Sequence, residues 1–96
     1  MISIKLVLTG SYLVREQYNE LRHILLVTDD DRVSYLQYDL NTGEPVSTLP
    51  FMCRRKQITR WADRAATRDE IALLRTDAEV RMQETIRKVL EMDWEE

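Results

Sequence analysis

The apolar pattern of this chain changes period near Cys53, and that change constrains the fold more than any other feature. Before it, apolar side chains alternate with polar ones or form short runs bounded by turn residues, as strands do. After it, they recur every three to four residues, as on a helix face. From residue 51 onward the chain has neither glycine nor proline to interrupt a helix. A β-rich half followed by a helical half predicts an α+β fold with its elements segregated along the chain.

Residues 2–9 place Ile2, Ile4, Leu6 and Leu8 on one side of a half-buried strand, with Val7 the exception. Gly10-Ser11 permits a bend, and residues 12–16 form a short strand candidate. Residues 17–20 are polar and predict a loop. Residues 22–28 are almost continuously apolar, which suits a central strand covered on both faces. Asp29-Asp30-Asp31 predicts a turn, residues 32–39 a strand, and Asn41-Thr42-Gly43 a hairpin loop closed by a left-handed glycine. A last strand runs from Val46 to Cys53, with Pro50 marking an edge or a bulge.

Beyond Cys53, residues 56–66 read as a short helix whose Ile58, Trp61, Ala62 and Ala65 share a face. Trp61 and Ile58 are expected to dock that helix on the sheet. Arg60, Arg64 and Arg68 fall on a different face and predict one exposed basic strip. Thr67-Arg68-Asp69-Glu70 is a capping box that starts a second helix at about residue 68. Its apolar stripe, Ile71, Leu74, Ala78, Met82, Ile86 and Val89, stays in phase across residue 76. One long amphipathic helix over residues 68–93 is therefore expected, with a break near Arg75-Thr76 as the alternative. At about 1.5 Å per residue, residues 68–92 would span roughly 37 Å. That exceeds the roughly 32 Å diameter expected of a compact domain of this length, so the distal end would seek cover from another chain.

About five antiparallel strands in some 55 residues, followed by a helix, resemble a small SH3-like barrel of the Tudor or KOW type. The resemblance covers residues 2–60 and rests on strand count and turn spacing. Barrels of that kind bind proteins, peptides and nucleic acids, so the likeness implies a binding role without naming a ligand.

The chain has 96 residues, and that length predicts one domain over residues 1–96: a β-meander over 1–55, a short helix over 56–66 and the long helix over 68–93. With 44% hydrophobic and 32% charged residues it has a folded, water-soluble balance rather than a disordered one. No apolar run approaches the roughly 20 residues of a membrane span, and no secretory leader is visible, so a cytoplasmic protein is expected. The single Cys53 excludes an internal disulfide and a cysteine-built zinc site.

The net charge of −3 conceals a segregation. Residues 51–68 hold six basic side chains, Arg54, Arg55, Lys56, Arg60, Arg64 and Arg68, against the single acid Asp63. The flanking segments are acidic. A basic middle of this kind either faces an anionic partner or pairs with its own flanks.

Chemistry is poorly represented. His23 is the only histidine, and no spacing joins it to Cys53 as a nucleophile and base. Asp29-Asp30-Asp31 is a solvated turn before it is a calcium site. With Gly10 and Gly43 the only glycines, no phosphate-cradling loop exists. Tyr35 and Tyr38 are three apart in a strand and so on opposite faces, which leaves at most part of an aromatic cage. No catalytic residue, metal or cofactor is expected.

Two readings follow. The first is a non-catalytic, regulatory protein-interaction module that binds a protein partner, or a second copy of itself as a homodimer. It would do so through the barrel surface and the helix end bearing Ile86, Val89, Leu90, Met92 and Trp94. The second is a nucleic-acid-binding module in which Arg54, Arg55, Lys56, Arg60, Arg64 and Arg68 contact phosphates.

Overall fold

The computed structural model describes residues 1–75 and Lys88. It shows a five-stranded antiparallel sheet with two short helices. The strands are β1 (Tyr12–Arg15), β2 (Glu20–Val27), β3 (Arg32–Asp39), β4 (Phe51–Arg54) and β5 (Arg64–Ala65). The helices are α1 (Arg55–Trp61) and α2 (Arg68–Ala72). The sheet order is β4-β3-β2-β1-β5. The sheet is open, with β4 and β5 at its two edges, and does not close into the barrel that the strand count suggested.

β2 and β3 form the long central hairpin, registered from Glu20↔Asp39 to Val27↔Val33. Its turn is built by the three aspartates. Asp31 takes the left-handed conformation at φ 60°, the position at which a three-residue hairpin loop usually places glycine. Thr28 stabilises it from both sides: its N–H donates to the Arg32 carbonyl, and its carbonyl accepts from the Asp31 N–H. The predicted loop after β3 also holds, with Gly43 at φ +75°.

The two faces of the sheet carry separate apolar clusters. On one, Leu13, Ile24, Val33 and Tyr35 pack under Ile58 and Ala62 of the α1 segment, with Val7 sealing the end. On the other, Val14, Leu21, Leu36, Tyr38 and Leu40 pack under Leu74. Tyr35 and Tyr38 thus lie in different clusters, as their spacing required.

Several expected elements differ. Residues 2–9 are not a strand: Ile4–Leu6 is a 3-10 turn capped by the Ser3 hydroxyl. Val7, the exception in the alternation, is the fully buried side chain, while Ile4, Leu6 and Leu8 are exposed. The turn rotates successive side chains by about 120° rather than 180°. Instead of pairing with a strand, the segment is held by the Arg55 guanidinium, which donates to the Val7 and Ile4 carbonyls. The central strand is not covered on both faces along its length. A bulge between Ile24 and Leu26 shifts the register and leaves Leu25 and Leu26 exposed. The expected strand from Val46 shrinks to β4, preceded by a single bridge between Tyr38 and Pro45. Pro45 and Pro50 have no N–H to donate, and the Ser47 hydroxyl turns the chain between them by accepting from the Leu49 N–H.

The helix expected over residues 56–66 starts at Arg55 and ends at Trp61. Ala62 is extended, and the Asp63 and Ala66 N–H groups donate to the Val14 and Tyr12 carbonyls. The free edge of β1 takes up the alanine-rich chain as β5, because those carbonyls would otherwise lack partners. The capping box at Thr67 forms as expected, with hydrogen bonds in both directions between Thr67 and Glu70. The helix it starts ends at Ala72, however, and does not continue through residues 73–75. Leu74 turns into the second cluster, and the Arg75 N–H donates to the Gly43 carbonyl at 2.7 Å. The remainder of the helix expected to residue 93 lies outside the described residues.

Candidate interaction surfaces

The six basic residues of 51–68 do not form one strip. Arg54 closes β4, Arg55 and Lys56 begin α1, Arg60 lies near its end, Arg64 is in β5 and Arg68 opens α2. Arg55 is committed to the backbone of residues 4–7 and, at 3.5 Å, to Asp31. Arg64 is clamped between two acids. Its Nη1 and Nη2 donate to Glu70 at 2.6 and 2.9 Å, and its Nε donates to Glu16 at 2.6 Å. These bonds raise the Arg64 pKa further and hold the Glu70 carboxyl down at about 2, with the Arg64 hydrogen bond as the largest cause. Arg60, Arg64 and Arg68 therefore belong to three elements, because the helix that would have aligned them stops at Trp61. Arg54, Lys56, Arg60 and Arg68 remain exposed.

A basic pair that sequence reasoning missed lies across the β3–β4 ladder. Arg32 and Arg54 are register partners, so their side chains leave the same face side by side. Asp30 neutralises part of this charge through its 3.1 Å contact with Arg32. The next row on that face is Leu26, Ser34 and Met52, in which Leu26 is 52% and Met52 67% exposed. Only the strand register places Leu26 and Met52 in one row, on either side of Ser34, since they are far apart in sequence. Around the open edge of β4, Arg32, Met52, Cys53, Arg54 and Gln57 line a groove of about 310 Å³. A second apolar groove of about 290 Å³ lies at the opposite edge, where Leu6, Leu8, Tyr12, Ala65 and Ile71 contribute to its walls.

His23 and Cys53 are separated by the sheet. His23 stacks on Tyr12 at 4.0 Å on the face of the Leu74 cluster, whereas Cys53 packs against the α1 cluster. Burial pushes the Cys53 thiol pKa up, opposite to what a nucleophile requires. Asp30 and Asp31 engage Thr28, Arg32 and Arg55, and no cluster of metal-ligating side chains occurs among the described residues. Nor, among them, is any helix long and apolar enough to cross a membrane.

Tyr12, Tyr35, Tyr38 and Trp61 serve the core. Trp61 docks α1 as expected, and does so through a cation: the Arg22 guanidinium lies 4.0 Å from the Trp61 ring and 4.6 Å from the Tyr35 ring. Arg22 Nε also donates to Gln37, whose amide in turn donates to Glu20. Tyr18 is exposed beside Arg15. These positions do not converge into a cage. The expected partner residues Ile86, Val89, Leu90, Met92 and Trp94 lie outside the described residues.

Comparison of the chain with protein families, curated proteins and solved structures found no match.

Proposed function

We propose that this chain is a non-catalytic interaction module that binds a protein partner over the uncovered part of the sheet around β4. The observation that supports this reading is the exposed Leu26–Met52 row beside the Arg32–Arg54 pair, on a face whose other half is buried. An apolar row next to paired arginines suits a partner segment that combines apolar and acidic side chains. Among the described residues β4 is an edge strand, a position at which a partner segment can add as a further strand.

Capture from the native source by the full chain and by a Leu26→Glu, Met52→Glu variant tests this reading. The wild type should retain a partner that the folded variant loses. Equal retention by both removes the surface from the reading.

The nucleic-acid alternative is favoured by the exposed Arg54, Lys56, Arg60 and Arg68. It is weakened by the diversion of Arg55 and Arg64 into internal bonds. Salt-dependent retention on DNA that falls on charge reversal at Arg54 and Lys56 would move the reading to nucleic acid.

A further inference from the structure

Resting on the interaction reading above, we infer that β4 receives an extended acidic peptide as a further antiparallel strand, in a single register centred on Met52.

The first support is which backbone groups face the edge. Along an antiparallel ladder, successive residues turn their N–H and C=O to opposite sides of the strand. The Arg55 N–H donates to the Asp31 carbonyl at 2.8 Å. Cys53 and Phe51, two and four residues back in the same register, therefore also face β3. From the other side, the Arg32 carbonyl accepts from the Thr28 N–H, which turns Arg32 and Ser34 toward β2. Their register partners Arg54 and Met52 thus direct their backbone groups outward. Arg54 is already engaged. Its N–H donates to Gln57 Oε1 at 2.9 Å, and as the N-cap of α1 its carbonyl receives the first helical bond. Pro50, at the other end, has no N–H. Among the described residues that leaves Met52, whose N–H and carbonyl an incoming strand can both pair.

The second support is charge. Arg32 and Arg54 form a pair without ladder bonds between them, the closer of the two spacings at about 4.5 Å between Cα atoms. Two guanidinium groups thus leave one face side by side, with Asp30 3.1 Å from Arg32. An acid on the incoming strand offsets the remaining charge. Every strand pair of the sheet is antiparallel, the slightly more stable pairing per residue, and this sets the direction. With one peptide residue opposite Met52, the residue two positions earlier lies opposite Arg54. The residue after it falls beside Phe51, which is 39% exposed and stacks on Tyr35. The chemistry that fits is an acid, any residue, then two apolar residues. The groove lined by Arg32, Met52, Arg54 and Gln57 lies along this path.

NMR titration of the full-length, isotope-labelled chain with the capped hexapeptide Thr-Glu-Ser-Ile-Val-Thr tests the inference. Saturable amide shifts are expected at Met52 and Ser34, with slowed exchange of the Met52 amide, while Gly43 and Ile71 stay fixed. N-methylation of the peptide isoleucine removes the donor that meets the Met52 carbonyl and should weaken binding roughly tenfold. Glutamine in place of the peptide glutamate should weaken it about two- to fivefold. The Arg54→Glu protein should bind a lysine version of the peptide better than the glutamate one. No shift at Met52 with millimolar peptide overturns the inference, as does equal binding of the N-methylated or the sequence-reversed peptide. Partner capture is read separately. A partner lost on Leu26→Glu, Met52→Glu, with no peptide paired at Met52, leaves the interaction reading standing and removes the added strand. Peptide paired at Met52 with no partner captured does the reverse.

Discussion

The two faces of the sheet are covered by different means. One is roofed by α1, which inserts Ile58 among Leu13, Ile24, Val33 and Tyr35, with Ala62 just past its end packing beside it. The other is crossed by residues 66–75, which contribute Leu74 and the half-buried Ala66. The α1 roof is held mainly by apolar burial, and the second is held as much by backbone bonds, Ala66 to Tyr12 and Arg75 to Gly43. A helix brings a side chain to the sheet about every turn, whereas a crossing strap buries one and must be fixed by its ends. For that reason the described residues cover only part of the second face, and the exposed Leu26 and Met52 lie on it.

The comparison can be broken most directly at Ile58. Ile58→Ala should cost about 2–5 kcal/mol by loss of a fully buried side chain, read as a fall in the urea midpoint. Leu74→Ala should cost less, because Leu74 is 7% exposed where Ile58 is fully buried. A larger loss at Leu74 would make the strap, not the helix, the main source of stability.

Gly43 comes next. Its φ of +75° disfavours a side chain, and a Cβ there would come within 2.1 Å of the Leu73 carbonyl oxygen. Gly43→Ala should cost about 2 kcal/mol or more and lift residues 73–75. Amide exchange should then quicken at Arg75 while Ala62 stays protected. Equal acceleration at both would show that the two roofs open together.

The Arg64–Glu70–Glu16 clamp sharpens the comparison through pH. Glu70 is held at about 2, below its usual 4.5, mainly by its hydrogen bonds from Arg64. Its contribution is thus complete above pH 4.5 and is lost as the pH falls toward 2. Because the clamp is partly exposed, about 1–2 kcal/mol is expected. Glu70→Gln should remove that share of the acid dependence of stability, and an unchanged acid profile would refute the clamp.

The smallest effect is expected at Arg22. Arg22→Met keeps much of the stem but loses the contact between the Tyr35 and Trp61 rings. It should cost about 1 kcal/mol and alter Trp61 fluorescence. No spectral change would show that the guanidinium does not hold the indole.

What the sequence determined by itself is local. The hairpin strand over residues 32–39, the Gly43 loop, the Thr67 capping box and the opposite faces of Tyr35 and Tyr38 depend on groups a few residues apart, so their spacing was enough. The period change at Cys53 marked the boundary between β4 and α1 for the same reason. The tertiary structure decided what depends on a distant partner. Alanine-rich residues 64–65 became β5 because β1 had free carbonyls to satisfy. Residues 4–6 became a 3-10 turn because Arg55, some fifty positions away, bonds the carbonyls there. The candidate surface belongs to this second kind. Leu26, Met52, Arg32 and Arg54 become neighbours only through the β2–β3–β4 register, and a cross-strand row leaves no periodicity in a single chain.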